Sequence, residues 1–277
     1  MSIMINRRHA IAAGFGTIAT LGLAACGGSG SDAGTESGDA AKVYTIATDT
    51  AFAPFEYADA DGTYVGIDIE LLAAIAADQG FEYQLNPVGF DAALQNVQSG
   101  QADGVIAGMS ITDERKEIFD FSEPYYDSTV CAAALASSDI KSLDDLKDKA
   151  VAVKNGTQSS LWADGIKEQY GFTTTVFDDS ATMYQDVTAG NTVCCFEDTP
   201  VMSYAISRFA ETDGTEGVDF KIIADCGSDS EFATPYGFAV NKGDNAELLT
   251  AFDAGLKNIK DNGTYQQIVD KYVQSVK

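Results

Sequence analysis

The chain has 277 residues, of which 45% are apolar and 10% aromatic, and its formal net charge is −25. This length allows one or two domains with a sizeable buried core. The negative charge argues against nucleic-acid binding, because neutralising phosphates requires clustered Lys and Arg, and against electrostatic attachment to an anionic membrane. We interpret the acidic surface as one that favours solubility.

The N-terminus has the pattern of an export signal. The basic segment "MSIMINRRHA" precedes the apolar segment "IAAGFGTIATLGLAA", which is too short and Gly-rich for a transmembrane helix. The small residues before Cys26 resemble a bacterial lipobox, so we predict a lipoprotein signal peptide over 1–25 and a lipid on Cys26. Ordinary secretory cleavage nearby is the alternative. We expect an extracytoplasmic protein whose only membrane anchor is this lipid.

A Gly/Ser-rich tether over 26–41 leads into the globular part. The strand "KVYTIATD" is followed by the helix "GIDIELLAAIAADQG", with Ile69, Leu72, Ile75 and Ala76 predicted on one face. The strand "FEYQLNPV", the helix "FDAALQNVQSG" and the short buried strand "ADGVIAGM" follow. This β-α-β-α-β order is typical of a parallel sheet covered by helices.

The alternation restarts after the short polar helix "SLDDLKDK". The strands "AVAVK", "TTTVFDD", "TVCCFED" and "FKIIAD" alternate with helices, and the strand "YGFAVNKG" precedes helices at about 246–262 and 264–275. We predict an α/β protein of two lobes, each a mainly parallel sheet flanked by helices. Lobe 1 comprises 42–127 and 233–277, and lobe 2 comprises 128–232. Crossover strands near "YYDSTV" and "EFATPY" would form a hinge beside an interlobe cleft.

Removing the predicted leader also removes His9, the only histidine of the chain. This excludes Ser-His-Asp and Cys-His catalysis and His-ligated metals, so we predict no catalytic residue, metal or cofactor. Four cysteines, Cys131, Cys194, Cys195 and Cys226, remain in the globular part. Export permits disulfides, but we expect at most one, with the other thiols buried. Cys194 and Cys195 should point to opposite faces of a strand.

Polar residues follow the carboxyl ends of four predicted strands. In an α/β protein such ends border the ligand site, so two facing lobes would bring these residues into one cleft. They are Asp49; Gly108, Ser110 and Arg115; Lys154, Thr157 and Gln158; and Glu197 and Asp198.

This set matches the chemistry of a zwitterion. The guanidinium of Arg115, with the Ser110 hydroxyl, would bind a carboxylate as a planar fork. Asp198 and the backbone of Gly108 would bind an ammonium group. Two aromatic residues, Phe52 and Phe90, could sandwich the aliphatic part of the ligand.

Each residue also has a plainer interpretation. Arg115 could be solvated at the start of a helix, and Asp198 could serve only as a helix N-cap. Lys154 could be a surface turn residue, and Phe90 part of the core. The joint placement at strand ends favours the binding interpretation.

The segments "ATDTAFAPFEY", "GTYVGIDIELLAAIA", "GMSITDERKEIFDFSEPYY", "VAVKNGT", "EDTP", "YGFAVNKG" and "NGTYQQIVDKY" resemble a bacterial family. They occur in the order found in extracellular solute-binding proteins of family 3, which serve ABC transporters for polar amino acids. The resemblance covers about 43–277 and is closest to glutamine-binding proteins. It implies the type II periplasmic-binding-protein fold, with hinge strands at Tyr125–Thr129 and Phe232–Tyr236.

The resemblance also implies roles for the site residues. Arg115 and Ser110 would hold the α-carboxylate of an amino acid, and Asp198 with the Gly108 carbonyl its α-ammonium. The two aromatic rings would pack on the ligand.

The side chain of the ligand would be reached by Asp49 and Lys154, which in glutamine binders also link the lobes on closure. Thr157 and Gln158 would lie on the loop at the carboxylate end. This chain has Glu197 where glutamine binders have His. The pocket would then hold two acids and one base, which favours an amide donor or a cation over glutamate. Gln158 replaces a small residue and would narrow the pocket.

The implied function is non-catalytic capture of an extracellular amino acid, with glutamine favoured, by a monomer that closes at its hinge and docks to permease subunits. A basic amino acid is the alternative ligand. A ligand-sensing lipoprotein is a second possibility. A third is an enzyme similar to cyclohexadienyl dehydratases, in which Glu197 would donate a proton.

Overall fold

The computed structural model describes residues 42–212, 214 and 216–273. The predicted signal peptide, the lipidation site Cys26 and the tether lie outside these residues. Within the described part of the chain, no helix has the length and apolar character needed to cross a membrane.

Strands and helices alternate along the chain in the predicted order. The strands are β1 (Val43–Thr48), β2 (Ala51–Phe52), β3 (Glu56–Ala58), β4 (Tyr64–Val65), β5 (Glu82–Pro87), β6 (Gly104–Val105), β7 (Phe119–Phe121), β8 (Val130–Leu135), β9 (Ala150–Lys154), β10 (Thr173–Phe177), β11 (Cys194–Asp198), β12 (Phe220–Asp225) and β13 (Ala239–Asn241). The helices are α1 (Ile67–Gln79), α2 (Phe90–Gln98), α3 (Asp113–Lys116), α4 (Gln158–Tyr170), α5 (Ser180–Thr188), α6 (Thr199–Glu211), α7 (Ala246–Asp261) and α8 (Thr264–Val273), with a 3₁₀ turn at Leu143–Leu146.

Two five-stranded sheets form the framework. The first has the order β5-β1-β6-β13-β7 and the second the order β10-β9-β11-β8-β12. In each sheet the first two pairs are parallel and the last two antiparallel. The expectation of mainly parallel sheets is therefore wrong. The antiparallel strands lie beside the crossovers, where the chain enters a sheet without an intervening helix.

The first sheet contains strands from both ends of the chain, and the second only strands from the middle. We keep the names lobe 1 and lobe 2 for the parts built on these two sheets. The boundaries at 128 and 232 stay a prediction.

The connections between the lobes pair with each other. The Tyr125 amide donates to the Tyr236 carbonyl at 2.9 Å, and the Tyr236 amide donates to the Tyr126 carbonyl at 2.7 Å. Tyr236 also forms an isolated bridge with Ser110. The hinge is thus tied directly to the segment that carries the predicted carboxylate-binding residues.

Helix α1 buries three of the four residues predicted on its inner face, and Ile69 is the exception. Ile67, Leu71 and Ile75 are fully buried in lobe 1, whereas Ile69 is only half-buried. Residue 69 lies two positions, or about 200°, from residue 67, so it points away from the core. The buried face also includes Asp68, a charged residue that the apolar pattern did not reveal.

Several short elements were not predicted. They are the three-stranded sheet β2-β3-β4 and strand β7, whereas helix α3 is the helix start that was considered as an alternative for Arg115. The segment "ADGVIAGM" forms only the two-residue strand β6, and Gly108 just beyond it has a φ of 53°. A left-handed residue breaks the extended backbone, so the chain turns at this point instead of continuing as a strand.

All four cysteines in the described chain are free thiols. Cys194 packs in the core on one side of the second sheet, with Trp162 and Phe196, and Cys195 packs on the other side with Met183. This confirms the prediction that the two neighbouring cysteines face opposite sides of their strand.

Candidate ligand-binding site

Charged and aromatic side chains from both lobes surround one small cavity. Its volume is about 10 Å³, so the two lobes close tightly on each other around a space that would hold about one water molecule. Nine of the eleven predicted site residues line it. The lining residues are Phe52, Phe90, Ala107, Gly108, Ser110, Arg115, Lys154, Thr157, Gln158 and Asp198.

Strand ends bring these residues together. Lys154 is the last residue of β9 and Asp198 the last of β11, two neighbouring parallel strands of lobe 2. Gly108 follows β6 of lobe 1. Ala107 was not predicted as a site residue. Its position between a buried strand and a glycine could have indicated it.

Arg115 is held in a fixed orientation. Thr112 caps its short helix by accepting from the Arg115 amide at 3.1 Å. The guanidinium donates to the Ser110 carbonyl at 2.9 Å and, across the lobes, to the Gly156 carbonyl at 2.9 Å. It also lies 5.4 Å from the centre of the Phe90 ring. Burial lowers the pKa of Arg115 to about 10, so the group stays charged at neutral pH.

Lys154 and Asp49 form a buried ion pair across the lobes. Both side chains are 1% exposed, and the ammonium donates to Oδ2 of Asp49. The ammonium lies 4.7 Å from the centre of the Phe52 ring and 5.7 Å from that of Phe90. Burial alone would lower the pKa of Lys154. The negative charges of Asp49 and then Glu197 have the larger combined effect and raise this pKa. Lys154 is therefore no surface turn residue.

Asp198 occupies the N-cap position of α6 but makes no side-chain capping bond. Its Oδ2 accepts from the hydroxyl of Tyr236, which in turn accepts from Ser128 at 3.0 Å. Burial, followed by the charge of Glu197, raises the pKa of Asp198 to about 7. The structure thus adds Tyr236, a hinge residue, to the site.

Gly108 allows two chain segments to approach closely. A Cβ at this position would lie 2.4 Å from Cε1 of Phe52, and the positive φ adds strain for any other residue. Only glycine therefore leaves the Gly108 backbone accessible beside the Phe52 ring.

The first turn of α4 faces the cavity. Thr157 caps this helix by accepting from the Ser160 amide at 3.2 Å, and Gln158 is its first residue. Both are buried. The N-terminal end of a 13-residue helix carries partial positive charge, which suits a carboxylate near Arg115.

Glu197 does not line the cavity. Its carboxylate accepts from the hydroxyls of Ser180 at 2.7 Å and Tyr184 at 2.9 Å, and from the backbone amide of Asp198 at 2.9 Å. Alternate residues of a strand face opposite sides, so Glu197 and Asp198 diverge. The expected pocket of two acids and one base is wrong. Glu197 also acts here as an acceptor, which does not favour its proposed role as a proton donor.

A wider groove, of about 890 Å³, lies beyond Ser180 and Tyr184, between the small sheet and helices α5 and α6. The buried charges of both lobes converge on the smaller cavity, which makes it the candidate ligand site.

Comparisons with known proteins agree with this architecture. A probable histidine-binding protein of Neisseria gonorrhoeae is 31% identical over 270 residues, covering 97% of this chain and 96% of the relative. The second substrate-binding domain of GlnP from Lactococcus lactis, in an open conformation, is 43% identical, covers 84% of this chain and 95% of that one, and has a TM-score of 0.56. An ancestral arginine-binding protein bound to arginine is 33% identical, with coverages of 83% and 97% and a TM-score of 0.74.

Of these two solved structures, the arginine-binding protein has the lower sequence identity but the higher structural similarity. This is expected where two proteins share lobes but differ in lobe orientation, and it agrees with the interlobe contacts of Arg115 and Lys154. A family model for bacterial extracellular solute-binding proteins, family 3, matches residues 44–275. The chain therefore belongs to the bacterial extracellular solute-binding proteins of family 3.

Proposed function

We propose that this protein captures an amino acid and delivers it to the permease of an ABC importer. Arg115, with Ser110 and the first turn of α4, offers a binding site for the α-carboxylate. Asp198 and the Gly108 carbonyl offer one for the α-ammonium. Opposite charges at two fixed positions suit a zwitterion better than an anion or a cation alone.

We further propose glutamine as the ligand. The observation that carries this choice is the buried Lys154–Asp49 pair beside the aromatic rings. A cationic side chain would meet the Lys154 ammonium, and an anionic one would meet the Asp49 carboxylate. A neutral amide can donate to Asp49 and accept from Lys154 at once. Glu197, held by Ser180 and Tyr184, adds no second acid that would favour a cation.

Closure belongs to the same proposal. The bonds from Arg115 to Gly156 and from Lys154 to Asp49 join the lobes on either side of the cavity. A ligand that contacts both lobes would stabilise this closed arrangement and be shielded from water. The lipid anchor at Cys26 and a monomeric state complete the proposal, which makes the protein a surface-bound receptor and not an enzyme.

Titration calorimetry with L-glutamine, L-arginine, L-histidine and L-glutamate tests the ligand. We expect glutamine to bind most tightly, with a dissociation constant of about 1 μM, which corresponds to a binding free energy of about −8 kcal/mol. The variant Lys154→Met should lose at least about tenfold in glutamine affinity and gain affinity for arginine, because Asp49 becomes free to pair with a guanidinium. Lys257→Met, which removes an exposed lysine, is the matched control.

A basic amino acid is the second candidate, since relatives are named for binding histidine and arginine. Tighter binding of arginine than glutamine to the wild type would overturn the choice of glutamine. Failure of all four ligands to bind would contradict the proposed function itself.

A further inference from the structure

Two acidic side chains are fully buried in lobe 1 outside the ligand cavity. Glu56 lies on β3 and Asp68 on α1, and both are 0% exposed. Among the described residues, no donor reaches either carboxylate oxygen of Glu56 or Oδ1 of Asp68. Unsatisfied buried oxygens on two ionised acids would cost several kcal/mol, so this arrangement requires an explanation.

The other oxygen of Asp68, Oδ2, accepts two hydrogen bonds. Oδ2 accepts from the Gly108 amide at 2.8 Å and from the Tyr125 hydroxyl at 2.7 Å. Gly108 carries the carbonyl proposed to bind the ligand ammonium, and Tyr125 belongs to the hinge. One carboxylate oxygen therefore joins the ligand-facing turn to a strand that must bend when the lobes open.

A single proton held between the two side chains would pair two of the three remaining oxygens and leave the third as the neutral carbonyl oxygen of Glu56. The two side chains are neighbours, because the Asp68 amide donates to the carbonyl of Phe55, the residue before Glu56, at 2.9 Å. Two neighbouring carboxyl groups in a buried site do not both ionise readily, and a hydrogen bond between them stabilises one proton on the pair. Asp68 accepts two bonds on Oδ2, so it is the ionised partner and Glu56 the protonated one. Burial, followed by the charge of Asp68, raises the pKa of Glu56 well above its usual range. Burial raises the pKa of Asp68 to about 6, although the hydrogen bonds from Gly108 and Tyr125 act to lower it.

Other charged groups also face this pair. Asp49 opposes and Lys154 favours ionisation of Glu56. Tyr125, whose pKa burial and Asp68 raise, stays a neutral donor and packs against Tyr236 at a centroid distance of 6.3 Å.

We propose that Glu56 and Asp68 share one proton, and that Asp68, held in this way, is the positioning residue that fixes Gly108 for ligand binding and links it to the hinge at Tyr125. This inference rests on the proposed function for the role of Gly108, but the shared proton does not depend on a ligand.

The shared proton is tested without a ligand. In the wild type at neutral pH, infrared spectra should contain the carbonyl band of a protonated carboxylic acid that Glu56→Gln lacks. The raised pKa of Glu56 means that its contribution to stability is present below about pH 4.5 and is lost as the pH rises through the folded-state value. In Glu56→Gln, the side chain at position 56 does not titrate. The unfolding midpoint of Glu56→Gln should therefore rise relative to that of the wild type as the pH increases above about 4.5.

Glu82→Gln, at an exposed position of β5, is the control and should change neither measurement. Identical infrared spectra for the wild type and Glu56→Gln, with parallel pH profiles, would overturn the shared proton.

The positioning role is tested with L-glutamine as the probe. In Asp68→Asn the amide keeps an acceptor oxygen for Gly108 and Tyr125 and donates to Glu56, so affinity should fall by less than about fivefold. Asp68→Leu should weaken binding by at least about thirtyfold. Tyr125→Phe, a milder change that removes only the hinge bond, should weaken it by about threefold to tenfold.

A pH profile separates positioning from general instability. As the pH rises and Glu56 ionises, the ratio of wild-type to Glu56→Gln affinity should fall, while Glu82→Gln should follow the wild type. Equal affinity of Asp68→Leu and the wild type, or a constant Glu56→Gln ratio, would overturn the positioning role. Absence of any binding by the wild type would count against the proposed function, while the infrared and unfolding comparisons would still decide the shared proton.

Discussion

Arg115 and Asp198 bring opposite charges into the same cavity, although each also occupies a position typical of an ordinary helix terminus. Thr112 caps the helix of Arg115, and Asp198 stands at the N-cap of α6. The partners of their side chains differ from those of surface residues. Arg115 donates to two backbone carbonyls, and Asp198 accepts from the Tyr236 hydroxyl. A local motif and a binding role therefore coexist at both positions.

We expect Arg115→Ala to weaken L-glutamine binding by at least about 100-fold. Truncating one partner of a buried charge pair costs about 2–5 kcal/mol, and each 1.4 kcal/mol is tenfold in affinity. Calorimetry measures the loss, and circular dichroism verifies that the fold persists. Arg208→Ala, which removes an arginine paired on the surface with Glu211 and Glu216, should bind normally. Undiminished binding by Arg115→Ala would exclude it as the carboxylate clamp.

Helix packing in lobe 1 depends on the close contact of α1 and α7. Gly255 of α7 faces Ile75 of α1, and a Cβ there would lie 2.8 Å from Cγ2 and 3.3 Å from Cα of Ile75. The absence of a side chain lets the two helices approach, so a glycine that lowers helix propensity is compensated by packing.

Gly255→Val should lower the free energy of unfolding by about 1–3 kcal/mol, the usual cost of overpacking a core. Ala254→Val is the matched control, because Ala254 is exposed on the same helix one residue earlier and should change stability by less than about 0.5 kcal/mol. Urea unfolding gives both values. Equal stability of the two variants would mean that the helices can separate without cost.

The alternation of strands and helices in both lobes was predictable from hydrophobic periodicity. The sheet order and the antiparallel strands next to the hinge were not, because they depend on pairing between residues far apart in the chain. The short strands β2 to β4 escaped prediction for a similar reason. They contain two or three residues each, too few for a periodic pattern to emerge.

For the whole molecule, the important contacts are those between lobes. The described residues fall within one compact unit, and Lys154 reaches across it to Asp49. Breaking a buried ion pair by removing one partner leaves an unpaired charge, at a typical cost of about 3–5 kcal/mol. Opening the cleft would let that charge reach water.

Asp49→Asn should therefore shift the ligand-free protein towards an open form. Small-angle X-ray scattering should give a larger radius of gyration for this variant than for the wild type, with L-glutamine restoring the smaller value only in part. Asp261→Asn removes a solvent-exposed partner of Lys257 and serves as the control. An unchanged radius in Asp49→Asn would mean that the pair does not hold the lobes together.

The sequence by itself determined the two α/β lobes and the placement of charged residues at strand ends, because these follow from composition and from periodicities of a few residues. Only the tertiary structure decided which of those charges meet. Glu197 and Asp198 are adjacent in the chain, yet strand alternation and the hydroxyls of Ser180 and Tyr184 hold the first away from the cavity. The pairing of Lys154 with Asp49 likewise depends on contacts between elements distant in sequence, which no local pattern encodes.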